Sequence, residues 1–210
     1  MKNYFTISRI TQIAILSALA IVLYQFPKFP LPFFPSMLKV QFSMLPTLIG
    51  GFVLGPIGGT IICVIKFLFK LLTTQTAAVG EIVDLSIGLC VVLVTSLIYK
   101  VKHDKKGAII ALIFGTITWV FVAVLINAVY ALPAYELIGI DKVLNMLKII
   151  PGVTEENYRI KYLFYGCLPF NLMLSIFVSI ITYFVYKKIS LLFNKIDKKS
   201  TTNIMYWTQK

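Results

Sequence analysis

The feature that most constrains this chain is the length of its apolar runs. Mostly apolar stretches of about 18 to 25 residues recur from one end to the other, long enough to cross a hydrocarbon core of roughly 30 Å as helices. In lipid the backbone amides of a helix are satisfied within the segment, so such runs predict an all-α membrane bundle. Composition agrees: of 210 residues, 59% are hydrophobic and 13% charged, against about a quarter charged in a soluble domain. One membrane domain over residues 1–210 uses the whole length and leaves no room for a soluble catalytic domain. The apolar run from Ile10 to Phe26 follows Lys2 and Arg9 as a signal peptide would. It is long for a signal sequence and has no convincing small-residue cleavage site, so it reads as the first retained helix.

Five spans are evident, at residues 8–26, 57–72, 81–99, 107–131 and 162–188. The stretch 44–55 is short and runs into Gly50, Gly51, Gly55, Pro56, Gly58 and Gly59. If Gly55-Pro56 makes a turn the chain crosses six times; if 44–72 is one helix, five. Charge decides between them, because cytoplasmic flanks carry the Lys and Arg excess. Six crossings gather the N-terminus, the 100–106 turn and the C-terminal tail on one side. That side then holds twelve of the 20 basic residues against Asp104 and Asp197. Five crossings would send most of those lysines outward. Six crossings, with both termini cytoplasmic in the plasma membrane, is therefore the expectation. The outer segments are then 27–43, rich in proline and aromatics, the short polar 73–80, and 132–161, which holds Glu136, Asp141, Glu155 and Glu156. No internal repeat is visible, which argues against carriers built from inverted repeats.

The net charge of +12 does not indicate a nucleic-acid partner, since the lysines flank apolar spans, where they set topology and meet anionic lipid. Cys63, Cys90 and Cys167 lie singly inside apolar spans, so neither a disulfide nor a metal site is expected. An enzyme is not expected either. His103 stands alone in a lysine-rich turn, and there is no phosphate-binding glycine loop, HExxH or aspartate cluster.

Polar side chains within a span usually face a bundle interior or a cavity. On the six-span topology Lys66, Lys70, Glu81, Asp84, Asn127 and Asn171 all fall in the outer half of the bilayer. That is the pattern of a cup open to the outside; a channel needs polar residues through its full depth. The alternative is that Lys66 and Lys70 snorkel outward while Glu81 and Asp84 cap a helix at the interface. The two asparagines are too short to snorkel, and are either ligand contacts or hydrogen-bond glue between helices. In the first span Ala14, Ser17, Ala18 and Ala20 form a face of small residues. Such a face suits close approach of another helix, in this bundle or in a partner.

Residues 39–59, KVQFSMLPTLIGGFVLGPIGG, resemble the start of the second helix in S components of energy-coupling factor transporters, in the riboflavin-binding branch most of all. Lys66 with Val79-Gly80-Glu81, Asn127 ahead of Leu132-Pro133-Ala134-Tyr135, and Leu168-Pro169-Phe170-Asn171-Leu172 ahead of Tyr186-Lys187 are similar in order and spacing. The resemblance covers residues 8–188. It implies a six-helix vitamin-capturing subunit that docks on a membrane coupling subunit driven by two ATPase subunits, with Ala14 and Ala18 as the docking pair. Riboflavin is the implied transported ligand, with no cofactor, and Asn127 and Asn171 hold the flavin. Lys39, Gln41 and Leu48 join them on the implied substrate-binding surface, as do Lys66, Glu81, Asp84 and Tyr130. The aromatic-rich first loop would lie over the flat ring. Three positions depart from the branch pattern: Leu174 where a lysine is expected, Asp84 where an asparagine is, and Gln41 where an acidic residue is. They leave open a changed set of flavin contacts or another water-soluble vitamin.

Overall fold

The computed structural model describes residues 5–74, 77–137 and 139–208. Lys2 and Lys210 of the charge count, and Gln75 and Thr76 of the second outer segment, lie outside the described residues. Helix α1 (Ile7–Gln25) opens where the Thr6 hydroxyl accepts from the Arg9 N–H. It is followed by α2 (Met44–Leu72), α3 (Val79–Val101) and α4 (Lys105–Ile126). Shorter helices α5 (Leu132–Glu136), α6 (Ile140–Leu147) and α7 (Tyr158–Lys161) precede the long α8 (Leu168–Thr208). Among the described residues, five helical segments are long and apolar enough to cross a membrane: 7–25, 44–72, 79–101, 105–136 and 158–193.

The second of these is a hairpin. Gly55 sits at φ +81°, a conformation that suits glycine, and Pro56 starts the returning arm. The Lys66 ammonium lies 3.6 Å from the Met44 sulfur, although 22 residues of straight helix would separate them by about 33 Å. The arms touch backbone to backbone. A Cβ on Gly59 would meet the Gly51 Cα at 2.8 Å, so the glycines that obscure a span in the sequence are what let the arms close.

The hairpin is the hub of the bundle, packing on α1, α3 and α8, while α4 bridges α3 and α8. Toward the start of α1, Leu16, Ile49, Phe52, Ile62, Ala111 and Tyr186 form one apolar core. At the other end Leu48, Val91, Trp119, Tyr162, Phe170 and Leu174 form a second, around a cavity. The outer surfaces of the long helices carry large exposed apolar residues such as Leu19, Leu68, Leu97, Phe121 and Ile180. A continuous apolar belt of this kind is suited to lipid and would be a liability in water.

One departure from all-α is local. The first loop pairs two short strands, β1 (Phe29–Pro30) and β2 (Lys39–Val40), antiparallel. Prolines 27, 30, 32 and 35 keep the segment from becoming helix, and the strand pairing satisfies backbone groups instead.

Candidate functional site

The loop end of the bundle encloses a cavity of about 490 Å³, within the range of small-molecule sites. The first loop, the loop-proximal ends of α2 and α3, the end of α4 and the start of α8 supply its walls. At two of these places the helix widens to i→i+5 bonding, over Asn127–Ala131 and Tyr162–Cys167. Such widened turns recur at functional sites because they re-aim side chains within a helix.

The two asparagines line this cavity and belong to one polar network. Asn127 donates through Nδ2 to the Ala123 carbonyl at 2.8 Å, and its Oδ1 accepts from the Tyr162 hydroxyl at 2.8 Å. Asn171 repeats the arrangement: Nδ2 donates to the Cys167 carbonyl at 2.8 Å, and Oδ1 accepts from the Trp119 indole N–H at 3.0 Å. The Cys167 thiol reaches the same Ala123 carbonyl at 3.6 Å, so the two halves are joined. A primary amide has two N–H donors and two acceptor lone pairs. Beyond these bonds Asn127 has a second N–H, whereas Asn171 Nδ2 also lies 3.5 Å from the Cys167 sulfur, and each amide oxygen has a second lone pair.

The lining also includes a charged group, Lys70 and Asp84. Lys66 is wholly buried and Lys70 nearly so, and both reach Asp84 Oδ2, at 2.8 and 3.0 Å. The lysines therefore turn inward to a partner and do not snorkel. Asp84 is likewise no helix cap: its Oδ1 accepts from Gln41 Nε2 at 3.0 Å, tying the first loop to α3. Nearby, Lys28 donates to the Tyr24 hydroxyl at 2.8 Å, and Tyr24 hydrogen-bonds Glu81. The Lys28 and Lys70 ammoniums lie 4.2 and 4.3 Å from the centre of the Tyr24 ring, in cation–π range. Partial burial, then the charge of Lys39, lowers the Lys28 ammonium below its ordinary pKa.

Of the residues singled out from sequence, Asn127, Asn171, Lys39, Gln41, Glu81 and Asp84 line the cavity. Lys66 lies behind the wall as Asp84's partner. Leu48 is in the core beneath, and half-buried Tyr130 is not among the lining residues. The first-loop aromatics do not form a cover. Phe33 points outward, and Phe34 packs edge-on against Phe170 at 5.4 Å. The aromatic lining comes from the helices, as Tyr24, Trp119, Tyr135, Tyr162 and Phe170. Leu174 makes an apolar patch of the wall. Trp119 and Tyr162 were missed in the sequence, where an aromatic in an apolar span is indistinguishable from core. The small-residue face of α1 divides: Ser17 and Ala20 are buried in the bundle, whereas Ala14 and Ala18 are exposed on its outside.

A helical bundle with a lipid-suited belt and, near one end, a mainly apolar cavity that carries a few polar groups defines a multi-pass membrane receptor for a small molecule. The chain belongs to the family of substrate-specific components of ECF transporters, whose model matches residues 8–186. It is a transport component and a multi-pass membrane protein. It is 33% identical to riboflavin transporter RibU of Staphylococcus aureus, over 87% of this chain and 90% of that one. Riboflavin transporter FmnP of Bacillus subtilis is 25% identical over 87% and 92%. A solved structure of the S component of a bacterial ECF transporter superposes with a TM-score of 0.68 at 30% identity, covering 88% of this chain and 96% of the other.

Proposed function

We propose that this chain captures riboflavin from outside the cell, as the substrate-binding subunit of an ATP-driven importer. The observation that carries the reading is the pair of buried asparagine amides in the wall of one cavity, each held in place by a carbonyl it donates to and an aromatic donor it accepts from. The pyrimidine edge of isoalloxazine alternates acceptor, donor and acceptor, the pattern that primary amides match. Phe170, Leu174 and Met37 supply apolar surface for the rest of the ring. The names of the RibU and FmnP relatives support the same ligand.

The chain crosses the membrane six times in this reading, as a single domain with both termini and the 102–104 turn in the cytoplasm. The hairpin at Gly55 supports the count, as does the lysine excess at one end. The cavity then opens outward. Ala14 and Ala18 form the face on which a membrane coupling subunit docks, itself driven by two ATPase subunits.

Leucine at Asn127 or Asn171 keeps most of the volume and removes the amide. Leaving a ligand's polar edge dry and unpaired costs about 1–3 kcal/mol, so riboflavin should bind roughly 5- to 150-fold more weakly. If the asparagines serve only as glue between helices, the melting temperature falls and affinity per folded molecule does not. Titration and thermal unfolding of the same preparations separate the two outcomes.

A further inference from the structure

Two aromatic side chains of the cavity lining hydrogen-bond the amides, and the reading above gives neither of them a polar contact with the ligand. We infer that Tyr162 and Trp119 are positioning residues that set the ligand specificity of the cavity by locking Asn127 and Asn171 in one amide orientation each. The inference rests on the asparagines meeting the ligand, and extends that reading from which groups bind to what decides the pattern they present.

The lock follows from donor and acceptor types. A backbone carbonyl only accepts, so the Ala123 and Cys167 carbonyls each require the NH₂ side of their asparagine. That turns each Oδ1 toward its aromatic partner. The Trp119 indole N–H can only donate, and it meets the Asn171 oxygen at 3.0 Å. The Tyr162 hydroxyl, facing the Asn127 oxygen at 2.8 Å, must donate as well. A flipped Asn171 would set N–H against N–H on one side and oxygen against oxygen on the other, whereas a flipped Asn127 could still donate to the Tyr162 oxygen but would set its own oxygen against the Ala123 carbonyl. Both aromatics are buried, Tyr162 at 1% exposure and Trp119 at 5%, so water cannot readily replace them.

The same arrangement occurs twice, on different helices. In each, an asparagine donates to the carbonyl four residues before it and accepts from an aromatic donor on the facing helix. Asn127 and Tyr162 each begin a widened turn, and the two side chains meet at 2.8 Å. What remains for the ligand is an N–H and a lone pair from Asn127 and a lone pair from Asn171, whose Nδ2 also lies 3.5 Å from the Cys167 sulfur. Such a site favours an edge with an N–H between two carbonyls and disfavours one with that nitrogen blocked.

The test compares riboflavin with 3-methylriboflavin, which lacks the N–H. Tyr162→Phe keeps the ring and removes the donor. It is expected to weaken riboflavin about 3- to 10-fold and the methyl analogue by less than about twofold, narrowing the parent's preference. In an Asn127→Leu background the same substitution should add less than about twofold, because its route to the ligand is already gone. Trp119→Phe against Asn171→Leu is the parallel cycle; should it fail to fold, the Tyr162 cycle stands alone. Equal losses for both ligands, or additive losses in the cycle, would overturn the inference while leaving riboflavin capture intact. A parent protein that binds no riboflavin would overturn the functional reading and this inference with it.

Discussion

Replacing Asp84 by asparagine removes one charge and almost no volume, at the point where the loop end of the bundle is most dependent on charge. Its Oδ2 receives two ammoniums, at 2.8 and 3.0 Å. One of them, Lys66, is wholly inaccessible, and the other, Lys70, is 3% exposed. Hydrogen bonds to a charged group contribute about 1.5–3 kcal/mol each, so the two together come to roughly 3–6. That agrees with the 3–5 kcal/mol typical of breaking a buried pair from one side. Gln41 Nε2 donates to Oδ1, an oxygen that asparagine retains, so a hydrogen bond there survives in Asp84→Asn. The expected loss is therefore about 3–5 kcal/mol, measured by unfolding in detergent micelles. Because Gln41 is already hydrogen-bonded to Asp84, a carboxylate placed there lies beside the same lysines. The double variant Gln41→Glu, Asp84→Asn should recover more than half of the loss. An Asp84→Asn protein within about 1 kcal/mol of the parent would refute the buried ion cluster. A double variant no more stable than the single would refute the exchange.

Leucine at Ala14 or Ala18 should abolish riboflavin uptake in cells while leaving binding to the purified subunit unchanged, because both are exposed on the outside of the bundle and a close helix contact would be lost. Uptake at the parental rate in both variants would remove α1 as the docking face. A cysteine at position 104, in a background with Cys63, Cys90 and Cys167 replaced by alanine, should be protected from an impermeant thiol reagent in intact cells. Labelling there would invert the proposed topology.

The helical class was legible because apolar runs of bilayer length admit few other folds. The polar residues stood out for the same reason: Asn127, Asn171 and Asp84 are costly in lipid unless something uses them. What stayed hidden depended on distance across the fold. Gly51 and Gly59 look like helix breakers in sequence, but their role is to let two arms touch. The snorkelling alternative for Lys66 and Lys70 could be dismissed only once Asp84 was seen between them. Asp84 and Gln41, separate departures from the branch pattern in sequence, meet at a single hydrogen bond. Trp119 and Tyr162 gave no signal, since their polar tips matter only through asparagines 52 and 35 residues away. The aromatic first loop misled in the other direction, because proline and aromatic content indicates an extended segment without saying which way its rings face.

The central claim is that the cavity holds riboflavin, and the most direct measurement is on the protein as it leaves the cell. Purified in detergent without added ligand, it should be yellow, absorb in the flavin band and release riboflavin identified by mass spectrometry. After the ligand is stripped, added riboflavin should rebind at one molecule per chain. A colourless preparation that releases a different vitamin, and takes up no riboflavin when titrated, would contradict the claim.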